Sequence, residues 1–101
     1  MWKLWEAIKA GDKPQYKWRH SWKEKPGNDF VGFDGARQIG RIFQVDEPKV
    51  YGKWFWIVHT EGEAKVNWPT AGYEDFPAYA ACRVEMVYEN IRKGERRAVA
   101  D

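Results

Sequence analysis

The sequence predicts an α+β domain, an antiparallel β-meander of three to four strands packed against one C-terminal helix, with a short helix at the N-terminus. Three observations predict it. Runs rich in aromatic and β-branched residues alternate in side-chain character and are punctuated by turn residues. Asp34-Gly35 sits between two such runs, and Asp-Gly is among the strongest short-range hairpin signals. From Phe76 to Ile91 the apolar residues then switch to helical spacing.

Each element follows in order. Trp2, Trp5 and Ile8 recur every three residues before Gly11, which predicts a short amphipathic helix over residues 2–10 that must dock on something to persist. Over residues 15–22, Tyr16, Trp18, His20 and Trp22 alternate with Lys17, Arg19 and Ser21, the pattern of a half-buried strand. Pro26, Gly27 and Asn28 interrupt the chain, residues 30–33 resume extended structure, and a type I′ turn at Asp34-Gly35 returns it over residues 36–45. Gly40 inside that strand reads as a bulge or as a seat for a large cross-strand ring such as Trp56. Residues 46–52 form a loop. Residues 53–60, Lys-Trp-Phe-Trp-Ile-Val-His-Thr, are the most strongly β segment of the chain and apolar on both sides, as in the middle of a sheet. Val66 and Trp68 suggest a last short extended piece, and residues 69–72 a loop. A helix over residues 75–93 closes the fold, with Asp75 as cap, Pro77 in the first turn and Gly94 as stop. Its stripe is Phe76, Ala80, Val84, Val87 and Ile91, with Glu85, Glu89 and Arg92 on the wet side and Glu89 paired to Lys93.

The chain divides into a basic, Trp-rich segment over residues 1–28, a βββα core over residues 29–93 and a tail over residues 94–101. With 101 residues one core is expected, and with 17% aromatic residues that core is filled by rings. Residues 1–25 carry seven Lys/Arg against three acids, a local charge of +4, whereas residues 26–92 carry seven against ten. The body is therefore mildly acidic, which weighs against a phosphate-tracking surface there. Cys82 is the only cysteine, so no intrachain disulfide forms, and a cytoplasmic location is the simplest expectation.

Phe30-Val31-Gly32-Phe33-Asp34-Gly35, Gly40-Arg41-Ile42-Phe43, Gly52-Lys53-Trp54-Phe55-Trp56 and Gly72-Tyr73-Glu74-Asp75 resemble motifs of a set of short uncharacterised bacterial proteins. The resemblance spans residues 29–93 and implies no activity.

Trp54, Trp56 and Val58 alternate with Phe55, Ile57 and His59, and one helix covers only one side of a sheet. Three answers stay open for the other side: the N-terminal segment folds back over it with Trp2, Trp5, Trp18 and Trp22, a partner chain or second copy uses it, or it receives a ligand. The expected activity is that of a small non-catalytic binding or protein-interaction module, with Trp54, Trp56, Arg41 and Lys53 as candidate contact residues. One alternative is a nucleic-acid-binding domain with a basic N-terminal arm, in which rings beside Arg37, Arg41 and Lys53 stack bases. A second is a small thiol enzyme built on Cys82 and His59. No catalytic residues, cofactor or metal are expected. Ser21 and His20 are neighbours on a strand and point apart, and His59, Glu61 and Glu63 read as solvated charges at a hairpin end. The carboxylates of Asp34 and of Glu74-Asp75 read as turn and cap chemistry.

Overall fold

The computed structural model describes residues 13–22, 27–59 and 69–100. They form a five-stranded antiparallel sheet and one helix, an α+β fold with one strand more than the upper expectation. The strands are β1 (Lys17–His20), β2 (Asp29–Asp34), β3 (Arg37–Gln44), β4 (Trp54–Val58) and β5 (Ala71–Glu74), and each neighbours the next in chain order. A short 3₁₀ turn, Pro48–Val50, lies between β3 and β4, and helix α1 (Pro77–Ala100) packs across β3, β4 and β5. The expected helix over residues 2–10 and the extended piece at Val66 and Trp68 lie outside the described residues.

The alternation read from the sequence sets the two faces. Ile42, Trp54, Trp56 and Val58 are buried under α1, together with Ala80, Ala81, Val84, Val87, Tyr88 and Ile91 of the helix. The helix offers Ala and Val where it meets the sheet, so the bulk of this layer comes from two indole rings on β4. Tyr16 just before β1, Trp18 of β1 and Phe30 of β2 extend the same layer.

Three strand glycines make the close packing possible. Trp18 pairs with Gly32 and Trp56 with Gly72. A Cβ on Gly32 would stand 2.7 Å from the Trp18 ring, and one on Gly72 3.1 Å from the Trp56 ring. Gly72 is thus the seat of Trp56, one of the two roles the sequence suggested for Gly40; the other, a bulge, does fall beside Gly40, at Ile39. Gly40 instead admits the helix, since a Cβ there would lie 2.5 Å from Val84 Cγ1. The β2–β3 register also shifts at Gly32/Phe33. This bulge sends two consecutive residues, Ile39 and Gly40, to the helix side, and Ile39 is fully buried.

Several boundaries differ from the sequence reading. Residues 71–74, read as loop and cap, are strand β5, because Gly72 is selected by the ring above it and not by a turn. The β2–β3 hairpin closes with Asp34 paired to Arg37. Positive φ occurs at Gly35 alone, with Ala36 on the ordinary side, which is the pattern of a type II′ turn and not of type I′. At the start of α1, Ala80 N donates to Phe76 O (3.1 Å), so Phe76 is the cap residue and Pro77 opens the first turn. Phe76 is 57% exposed and does not belong to the stripe. The helix also runs through Gly94 to Ala100. Gly94 has no left-handed φ, and without that reversal a glycine only weakens a helix, by about 1 kcal/mol relative to alanine. The sheet likewise starts before residue 29, since β1 belongs to the core layer.

Candidate binding face of the sheet

Helix α1 leaves one face of the sheet uncovered. The residues that point there are Lys17 and Arg19 on β1, Asp29, Val31 and Phe33 on β2, Gln38, Arg41 and Phe43 on β3, Phe55 and Ile57 on β4, and Ala71 and Tyr73 on β5. Phe43, Phe55 and Tyr73 stand side by side on three adjacent strands, with ring centroids 5.3 Å apart at each step. Cross-strand pairing of these residues produces this ladder directly. Tyr73 is 48% and Ile57 43% exposed.

Cations are set among these rings. The Arg19 guanidinium lies 4.6 Å from the Phe33 centroid, and that of Arg41 4.8 Å from Phe43. Arg41 also grips Asp29 with two hydrogen bonds, and Ser21 Oγ donates to the same carboxylate at 2.6 Å. The Arg41 bonds, reinforced by Ser21 and opposed by partial burial, hold the Asp29 carboxyl below the ordinary carboxylate range, and Asp29 in turn raises the Arg41 pKa. Where the bulge turns Ile39 and Gly40 away, the open face lacks a side chain between Gln38 and Arg41. A shallow depression of about 180 Å³ results there, bordered by Gln38, Arg41, Ile57 and His59.

Two of the four contact residues expected from sequence are elsewhere. Trp54 and Trp56 are 7% and 2% exposed and belong to the layer beneath α1, so neither meets a partner on the open face. Their neighbours Phe55 and Ile57 take that position. Arg41 is on the face. Lys53 stands at its β4–β5 end, with Nζ 3.0 Å from Asp75. Nor does the N-terminal strand fold over the open side. It joins the sheet edge and turns Trp18 to the helix layer, while Trp22 is 62% exposed; Trp2 and Trp5 lie outside the described residues.

The helix side holds a polar cluster that sequence reasoning missed. Glu85, expected to be wet, is 7% exposed. Its carboxylate accepts hydrogen bonds from Gln15 N (2.7 Å), Tyr16 N (3.0 Å) and Trp18 Nε1 (2.8 Å). Tyr16 donates its hydroxyl to Glu89, and Tyr88 donates to Asp34. Glu89 thus serves Tyr16, just before β1, and not the expected partner Lys93. Arg92 completes the group, 3.5 Å from Asp34 and 3.3 Å from the Tyr16 hydroxyl. Burial, and then the Asp34 hydrogen bond, push the Tyr88 phenol up to about 12; burial and Glu89 raise Tyr16 as well. The only signal in the sequence for this cluster is a carboxylate one turn from Ala81 and Tyr88 on an apolar helix.

Cys82 is buried on α1, and His59 is exposed after β4. Glu74 pairs with Arg83 at 2.7 Å. Glu61 and Glu63 lie outside the described residues, and among the described residues no group of three His, Cys, Asp or Glu side chains is arranged to hold a metal. No helix among them is long and apolar enough to cross a membrane. Comparison with known proteins found no matching family model, no similar curated protein and no similar solved structure.

Proposed function

We propose that this chain is a small non-catalytic binding module whose contact surface is the open face of its sheet. The observation that carries the reading is the row Phe43, Phe55 and Tyr73, which lies on the side that α1 leaves uncovered. Aromatic residues on a rigid sheet present a large contact area at little entropic cost, since strand pairing has already fixed their backbone. A solvated sheet face with no binding role has no need of three adjacent rings; polar residues would serve it better. The thiol alternative is disfavoured by the burial of Cys82, because a reactive thiolate needs access and an electropositive setting. The resemblance of its motifs to short bacterial proteins belongs to the same proposal and implies no activity. A cytoplasmic setting belongs to the same proposal.

A photo-crosslinking side chain at Ile57 or Tyr73, compared with the same group at the exposed Lys93 of α1, tests the reading in cell extract. Specific adducts from the two sheet positions and none from the helix position are expected. Equal labelling from all three would remove the sheet as the contact surface.

A further inference from the structure

We propose that the occupant of the open face is a single-stranded nucleic acid, bases lying on the ring ladder and phosphates running toward the β1 edge. This rests on the binding-face reading above and names its partner.

The charge pattern of the face carries the inference. Besides Lys49, Asp46 and Glu47 in the β3–β4 connection, Lys17, Arg19, Arg41 and Lys53 stand on this side or at its end among the described residues, against the carboxylates Asp29 and Asp75. Both carboxylates are already bonded, Asp29 to Arg41 and Asp75 to Lys53. Lys17 and Arg19, exposed on the edge strand, meet no carboxylate among the described residues. The strand that carries them belongs to residues 1–25, the +4 segment of the chain. The mildly acidic character of residues 26–92 therefore does not describe this face.

The ring ladder supplies the second half. Every base has a π-face, so aromatic residues beside a cationic edge hold a single strand without reading its sequence. Phe43, Phe55 and Tyr73 form such a platform, and Arg41 and Arg19 add cation–π contacts at its β1 side. Aromatic rings and Arg are also enriched at protein interfaces, so a protein occupant is the competing outcome that the crosslinking arm of the test detects. A duplex fits less well. Its major groove admits a helix or a two-stranded ribbon, not the broad face of a five-stranded sheet.

The test is fluorescence anisotropy of labelled single-stranded DNA, single-stranded RNA and duplex DNA of one mixed sequence, titrated with the full chain at several salt concentrations. Both single strands are expected to bind more tightly than the duplex and to weaken with salt; a preference between them would show whether the sugar is read. Phe55→Ala and Tyr73→Thr should each weaken binding roughly 5- to 150-fold, the effect of losing one stacked base. Lys17→Gln with Arg19→Gln should lower the salt slope by roughly 1.4, or about 0.7 for each phosphate that is no longer neutralised. Tyr73 is exposed on an edge strand and its threonine variant keeps β propensity, so it reports on binding even where Phe55→Ala fails to fold. Absence of binding at low salt, tighter binding to duplex, or binding unaffected by Tyr73→Thr would overturn the assignment. If crosslinks from Ile57 and Tyr73 then go to protein alone, the binding face stands with a different partner. If those crosslinks are also absent, both readings fall.

Discussion

Tyr88 shows how much one hydroxyl contributes here. Its ring is 2% exposed, and its O–H donates to Asp34 at the end of β2, joining helix and hairpin across 54 residues of chain. A hydrogen bond to a charged acceptor is worth about 1.5 kcal/mol or more, and removing the donor leaves the carboxylate beside Arg92 at 3.5 Å and its strand partner Arg37. Tyr88→Phe is therefore expected to lower stability by about 1.5 kcal/mol in urea unfolding at neutral pH. The raised phenol pKa adds a pH signature. Below pH about 10 the phenol is neutral in both folded and unfolded chains, and its full contribution is present. Above that the unfolded chain releases the proton first, and stability falls as the pH rises toward about 12. Tyr16, also raised, acts in the same direction. The alkaline fall should be shallower in Tyr88→Phe, and an identical fall in both proteins would refute the linkage. None of this was legible in the sequence, because Tyr88 lies beside the expected stripe and its partner is distant in the chain.

Among the elements, β1 is held by the least obvious contacts. It is an edge strand of four residues, and such a strand is marginal when hydrogen bonded on one side only. Glu85 supplements the sheet bonds by accepting three N–H groups just before and within β1. Its buried charge is tolerable because those donors satisfy it; remove it and they lose their acceptor. Glu85→Ala should cost about 3 kcal/mol in urea unfolding, with the Lys17–His20 amides exchanging faster by a larger factor than those of β3 and β4. Uniform acceleration across the sheet would show that Glu85 supports the whole fold and not this strand. Since β1 carries Lys17 and Arg19, Glu85 is also a positioning residue for the open face. The alternation that predicts β1 was readable at once, and so was the stripe of α1. Strand β5 was not, because Gly72 has the look of a loop residue until the Trp56 ring above it is known.

Across the molecule as a whole, the two sheet faces differ in what their side chains do. Trp56 fills the layer under α1, and Trp56→Ala should cost about 3–5 kcal/mol through reduced burial and a residual cavity. Its neighbour Ile57 is on the open face, and Ile57→Thr, which keeps the β-branched shape, should change stability by no more than about 0.5 kcal/mol. Urea midpoints of the two variants check this directly. Comparable losses would mean that the open face is packed against something in the isolated chain. The contrast also separates the core from the proposed binding surface, since only the open-face change should alter the proposed nucleic-acid binding at unchanged stability.

Local periodicity was enough to say which residues share a side of each strand, that a helix with an Ala/Val stripe follows the sheet, and that one helix leaves a face over. These are consequences of backbone geometry, and they need no knowledge of distant neighbours. Which side the helix takes became known from the folded chain alone. That choice lies in contacts between residues far apart in the sequence: Val84 against Gly40, Trp56 over Gly72, and Glu85 with the N–H groups of Gln15, Tyr16 and Trp18. Alternation names two faces without ranking them, and packing a bulky ring against small helix residues is what breaks the tie.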